Sequence, residues 1–582
     1  MNRISIAAGS LVVLVAASLI AFLPGCGKPP DSDSSGNVKS FRKVEPWESI
    51  AVRLRRDTEL AACKTALGQL NNELAERTDL PPVPALAPEG ETALKALVPL
   101  SSDDLMELRG ASYSALDPAY LAECFYLRDA ARSLDPGGLP PLELARLGFA
   151  WLCRQVYLQP WELEREGFIP AVPPEFTLNR GSGSGLERAY VFLALLQQMG
   201  LDGCLIGATD QGTIRMSNDR SLVHDGPFRA VGVRIGADIF LFNPFSGEPF
   251  AGPDGKGVAT YAQVKANPGP WKLTEVDAKK MGIALAVPLS SLAPRIALLE
   301  SKILADTGVR LAFDAAALKA RFPAEAKFWN PPQDRFSYTR LLITFLPVEE
   351  GGIDHEPRPQ QPFTHYKRSQ IPKSLVDLPP DLNSGVAERL RLGILNVYGS
   401  SFFVPPTPRE RIQRGQFQDA SRDLTQKLGA FGRGQERLRA IDPADVTAWL
   451  DQAAGSFELV SRARFPNPGQ TVPQPDSDPD VIDAKNKLEE FWRATDNISR
   501  ALVDRSTASL GRGEALFLLA LAKHEEAERR QTRGAAEALD AWREADNSWS
   551  AFLEQDGTHG TPGRTAHAKL LAARAKQFAM AK

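Results

Sequence analysis

Residues 180–210 read RGSGSGLERAYVFLALLQQMGLDGCLIGATD, and this stretch decides the fold. Ser184 is followed three residues later by Glu187, the spacing at which a hydroxyl and a carboxylate satisfy the free N–H groups of a helix start reciprocally. Leu186, Ala189, Leu193 and Leu196 then recur at helical spacing until Gly200, so a buried helix is predicted to begin at the glycine-serine loop and to stop at that glycine. Residues 201–207 read as a short strand beside it.

Outward from this centre, residues 229–247 (RAVGVRIGADIFLFNPFSG) have the texture of a β-hairpin, and residues 142–159, with ARLGFAWLCRQV, that of an amphipathic helix. Residues 46–76 keep one apolar stripe through Ile50, Leu54, Leu60, Cys63, Leu67 and Leu70, which predicts a single amphipathic helix. Helical text also runs over 94–134 and ends at the Asp135-Pro136-Gly137-Gly138 turn. Residues 288–382 are mixed, with a helix at LAPRIALLESKILADTG and a β-like run at TRLLITFLPV. Beyond 383 the text is mostly helical, and GEALFLLALAKHEEAERRQ, AAEALDAWREADNSWSAFLEQ and RTAHAKLLAARAKQFAMA are read as consecutive antiparallel helices with alanine at close-packing positions.

The expected class is therefore α+β, a central domain flanked by a helical N-terminal region and a mostly α-helical C-terminal region. Its divisions are 1–26 (signal peptide), 27–45 (flexible linker), 46–138 (helical), 139–275 (central domain), 276–382 (mixed connecting region) and 383–582 (helical). No fixed repeat period is legible in the C-terminal helices, which resemble tetratricopeptide hairpins only in their pairing.

The N-terminus has the layout of an export signal: Arg3, an uncharged apolar run from residue 4 to 23, then Leu23-Pro24-Gly25-Cys26. That tetrapeptide resembles the lipobox of bacterial lipoproteins, which implies a lipid attached at Cys26 and an extracytoplasmic, membrane-anchored body. An uncleaved membrane anchor is the alternative, since the run is long enough to span a bilayer. The following KPPDSDSSGNVKS has almost nothing to bury and reads as a spacer. With a net charge of −3, the chain offers no field to draw a nucleic acid. Its expected partners are the membrane, through the lipid, and an envelope protein or peptide.

The region from 140 to 260 resembles the core of the transglutaminase-like superfamily. Its pattern runs glycine, any residue, cysteine, three residues, alanine, then an apolar helix and a strand, and Gly183, Ala189, the FLALLQQMGLDG run and Gly207 fit it. In that family a thiolate sits at the helix start, where the helix dipole lowers its pKa, while a histidine takes its proton and an aspartate orients the histidine. The resemblance puts Gly185 at the cysteine position, Arg229 at the histidine position and Asn243 at the aspartate position. Glycine has nothing to attack with, arginine does not give up its proton, and asparagine carries no charge. A catalytically dead member of its fold is expected.

Two rival readings use the same residues. In one, Ser184 attacks in place of cysteine with His224 as base, giving an envelope peptidase or acyl-transfer enzyme. In the other, the GSGSG loop cradles an anion at the helix start, assisted by Arg229. Metal chemistry and other cofactors find no motif: His224, His355, His365, His524, His559 and His567 are scattered and are expected at the surface. Cys63, Cys124, Cys153 and Cys204 each lie in apolar text, where a disulfide and a buried thiol are equally at home.

Overall fold

The serine-capped start and glycine-capped end of the helix read from residues 180–210 stand where the sequence puts them, and the sheet is built around that helix. The structure is a computed structural model that describes residues 46–76, 86–135, 137–158, 173–208, 228–273, 275–328, 406–437, 479–534, 536–556 and 562–580. Cys26 with the expected signal, the expected linker, His224 and the TRLLITFLPV run lie outside these residues.

Helices α1 (Pro46–Arg56), α2 (Leu60–Glu76), α3 (Pro88–Leu97), α4 (Ser102–Arg109), α5 (Leu116–Leu134) and α6 (Pro141–Gln155) open the described chain. Then come β1 (Tyr157–Leu158), α7 (Pro174–Arg180), β2 (Ser182–Gly183) and α8 (Gly185–Met199). The sheet region holds β3 (Asp202–Ala208), β4 (Phe228–Ile235), β5 (Asp238–Asn243), β6 (Glu248–Pro249), α9 (Tyr261–Ala266), α10 (Glu275–Lys280), β7 (Met281–Leu285), α11 (Pro294–Leu298), α12 (Ala315–Arg321) and β8 (Lys327–Phe328). Helices α13 (Pro406–Gln413), α14 (Phe417–Arg437), α15 (Pro479–Thr532), α16 (Ala538–Asp556) and α17 (Pro562–Ala579) complete it. The class is mixed α+β and mostly helical, and Pro46–Lys582 forms one unit by its contacts.

Six strands lie in the order β6-β5-β4-β3-β7-β8. β4 and β5 form a hairpin closed by Gly236-Ala237, with Ile235 opposite Asp238; Gly236 takes a φ of +64°, open to glycine at little cost. Alternation along each strand sorts side chains onto two faces. Leu205, Val231, Val233, Phe242 and Ala284 join α6 and α8 in one core, while Cys204, Ile206, Ala230, Leu241 and Ile283 join the N-terminal helices in another. Both faces are covered, which is why the strands read as nearly continuous apolar runs. Helix α8, apolar around most of its circumference, is buried accordingly. A third core fills the C-terminal bundle, where Ala515, Ala520, Ala522, Ala545, Ala568 and Ala575 are buried and let the helices approach closely.

Three sequence expectations need correction. The stripe over 46–76 is two helices, not one: Asp57 accepts the N–H of Glu59 at 3.1 Å and Thr58 breaks the ladder, yet both helices face the same core, so the apolar spacing runs on undisturbed. The 94–134 text is likewise three helices, the last of which does end at Leu134. The helix expected over 142–159 stops at Gln155 and gives way to β1. All four cysteines of the described body are free thiols, three buried and Cys153 half-buried. Among the described residues no helix is long and apolar enough to cross a membrane.

Candidate functional site

Helix α8 starts at a crowded junction. Ser184 is its N-cap in extended conformation; its Oγ accepts from the Glu187 N–H at 3.2 Å, and the Glu187 carboxylate accepts from the Ser184 N–H at 2.8 Å. The same carboxylate oxygen accepts from Arg180 Nη2 at 2.7 Å, while Arg180 Nε donates to the Ser182 carbonyl at 2.8 Å. The partial positive charge of the helix start is thus met from within by Glu187, itself buried and paired. β2 runs parallel to β1, with Ser182 opposite Tyr157 and Gly183 opposite Leu158. On the other side of the loop the Arg409 guanidinium of α13 lies against Gly181, whose φ of +73° and missing Cβ allow that approach.

Gly185 is the first residue of α8, and the space above it is taken. A Cβ built there would overlap the ring of Phe245. Asn243 explains why the ring lies there: the residue ends β5 and its Oδ1 accepts from the N–H groups of Phe245 at 2.9 Å and Ser246 at 3.2 Å, while its carbonyl accepts from Gly247 at 2.9 Å. Its side chain fixes a tight turn. That turn is anchored from below by Arg188, whose Nη1 donates to the Pro244 carbonyl at 3.1 Å and whose Nε and Nη2 donate to the Val156 carbonyl at 2.9 and 2.6 Å. Burial pulls the Arg188 pKa below its ordinary value.

Cys153 lies beside the turn at Gly247. A Cβ on Gly247 would lie 3.5 Å from its Sγ and 3.7 Å from Arg188 Nη1. Burial raises its pKa despite the opposing pull of Arg188 and Arg154, so it is a protonated thiol at neutral pH and a poor nucleophile.

Of the predicted site residues, Ser184, Gly185 and Asn243 are therefore gathered at one corner, the last two through Phe245. Arg229 is the second residue of β4, but its side chain, like His224 and Cys26, lies outside the described residues. At the helix start itself Glu187 already answers the partial positive charge on which the anion-cradle reading relies. Phe245 and Arg188 were not singled out from the sequence. The Asn-Pro-Phe-Ser-Gly run is a legible turn, but nothing local says over which helix its aromatic ring folds. Among the described residues no group of His, Cys, Asp and Glu has an arrangement that could hold a metal ion.

Two substitutions probe this corner. Ser184→Ala is expected to cost about 1 kcal/mol of stability through the lost cap, read from the urea midpoint. Gly185→Ala is expected to cost about 1–3 kcal/mol by overpacking, and clearly less in a Phe245→Ala background, because the colliding ring is gone. Additive effects of the two changes would show that the ring does not occupy that space.

No protein-family model, no curated protein and no solved structure matches this chain.

Proposed function

We propose that the chain is a cell-envelope lipoprotein, tethered through Cys26, in which a degenerate transglutaminase-like domain binds or scaffolds an envelope protein or peptide and does not catalyse. The observation that carries this reading is the Phe245 ring over Gly185. A site that had merely lost its thiol would keep a hollow where the substrate carbonyl must approach the helix start. Here an aromatic side chain fills it, and the turn that presents the ring is held by Asn243, which stands where the family has its orienting aspartate. A helix packed on an antiparallel hairpin, with the loop at the helix start facing the hairpin's end, supports the transglutaminase-like assignment in geometry.

The peptidase or acyl-transfer reading needs Ser184 to be activated. Its Oγ is engaged by the Glu187 N–H, and no described residue supplies a base to it.

Fractionation of cells carrying the wild-type and Cys26→Ala chains tests the tether: the first is expected in the membrane fraction and the second released from it. Purified wild type is expected to hydrolyse or transpeptidate no peptide amide. Turnover that disappears on changing Ser184 to alanine would overturn the reading.

A further inference from the structure

A second polar assembly adjoins that corner, in the seam between α6 and the C-terminal helices. Arg154, at the end of α6, is buried and makes a two-pronged pair with Glu525 of α15, Nε to Oε1 at 2.8 Å and Nη2 to Oε2 at 3.0 Å. Gln155 adds a third donor to Glu525 Oε1 at 2.9 Å. One turn on, Glu528 takes a fork from Arg574 of α17, at 2.5 and 3.1 Å, and lies 3.9 Å from Arg154. Two guanidinium cations thus face two carboxylates, and the set is balanced only while nearby imidazoles are neutral.

Two imidazoles complete the seam. His524 is fully buried, contrary to the surface position expected of it, and its Nδ1 accepts the indole N–H of Trp549 at 3.2 Å. An indole only donates, so a proton on Nδ1 would set donor against donor. Nε2 of His524 lies 3.6 Å from Glu528 Oε1. His567 of α17 donates from Nε2 to the Arg154 carbonyl at 3.0 Å, with its ring 6.1 Å from Tyr157 of β1 and 6.4 Å from Phe517. The charged groups nearby beyond the two pairs are Arg188 of α8, Arg409 of α13 and, at the end of α15, Arg529 and Arg533, which line the same small cavity as Arg154 and Glu528. All of these additions are cations, and each opposes a proton on the imidazoles.

We propose that this seam is an acid-operated latch: protonation of His524 and His567 frees the C-terminal helices α15 to α17 from α6 and β1, uncovering the strand beside the glycine-serine loop. Burial, then the neighbouring cations, hold His567 down to about 4 against the bond to the Arg154 carbonyl, and burial lowers His524 as well. Both histidines recover the ordinary value near 6.5 once the seam opens. A lowered pKa in the closed form favours closure fully above about 6.5, and that preference is lost as pH falls from there toward 4. His567 is half-buried, so its effect is smaller than for an enclosed group.

Amide hydrogen exchange of the full chain at pH 7.5 and pH 5.0, corrected for intrinsic rates, tests the latch. Peptides from 141–155 and 562–579 are expected to open about tenfold more at pH 5.0, while those from 185–199 hold their protection. The double variant His524→Asn/His567→Gln keeps an acceptor toward Trp549 and a donor toward the Arg154 carbonyl without a titrating ring, and it is expected to lose the pH response. His567→Gln alone is expected to lose part of it. Equal opening at the two pH values in the wild type, opening of 185–199 to the same extent, or an undiminished response in the double variant would each overturn the proposal.

Discussion

Asp117→Ala is expected to destabilise the body by about 3 kcal/mol, the cost of taking from a buried guanidinium the fully enclosed one of its two carboxylate partners. Arg295 and Asp117 are both fully enclosed, joined Nε to Oδ2 at 2.6 Å and Nη2 to Oδ1 at 3.2 Å, and Arg295 Nη1 donates to the Glu107 carbonyl at 2.7 Å. Asp117 also accepts the Ser114 N–H at 2.8 Å as α5 begins. Removing the carboxylate leaves the enclosed guanidinium with its second acid, Glu107, whose partly exposed carboxylate accepts from Nη2 at 2.5 Å, and leaves Nε without an acceptor where water cannot replace it. The double change Asp117→Leu/Arg295→Met is expected to recover much of the loss, since an apolar pair of similar size has no charge to desolvate. Urea unfolding reads both variants. A single variant within about 1 kcal/mol of wild type would show that the pair is not enclosed.

Phe192→Ala is expected to cost a similar amount, about 3–5 kcal/mol. Its ring lies 5.1 Å from Phe149 of α6 and 5.4 Å from Phe242 of β5, and those two are 5.2 Å apart, so three elements meet at one aromatic cluster. Truncation leaves a cavity between helix and sheet that their fixed backbones close poorly. Phe245→Ala makes the contrast: that ring is 36% exposed, and its loss is expected to cost about 1 kcal/mol or less. Equal effects at the two positions, measured by thermal or urea unfolding, would mean that the helix does not pack on the sheet through Phe192.

What could be read from the sequence was local. The Ser184–Glu187 cap spans three residues, Gly200 ends the helix in the left-handed conformation, and the hairpin turns on a glycine; each signal is complete within a few positions. The break at residues 57–59 was hidden because two helices that face one core keep a common apolar spacing. His524 reads as a surface histidine, as its neighbours Lys523, Glu525 and Glu526 are charged, but Trp542 and Trp549 of the next helix pack on it, and Glu525 pairs with Arg154 and Gln155 from some 370 residues away. Phe245 escaped notice for the related reason that an exposed-looking turn residue gives no sign of the glycine it covers. Pairings across such separations leave no mark on periodicity or composition. Within the site, the positions of Ser184 and Gly185 at the helix start are legible in the sequence, and the ring of Phe245 over Gly185 is not.

In the function proposed above, the start of α8 holds no reactive group and no room for one. Incubation of the purified full chain with a fluorophosphonate and, separately, with iodoacetamide at pH 7.5, followed by peptide mass mapping, tests it most directly. The expected result is no phosphonate on the peptide carrying Ser184, and slow alkylation at most of Cys153. A stoichiometric adduct on Ser184 that forms in the folded protein and vanishes on unfolding would contradict the claim.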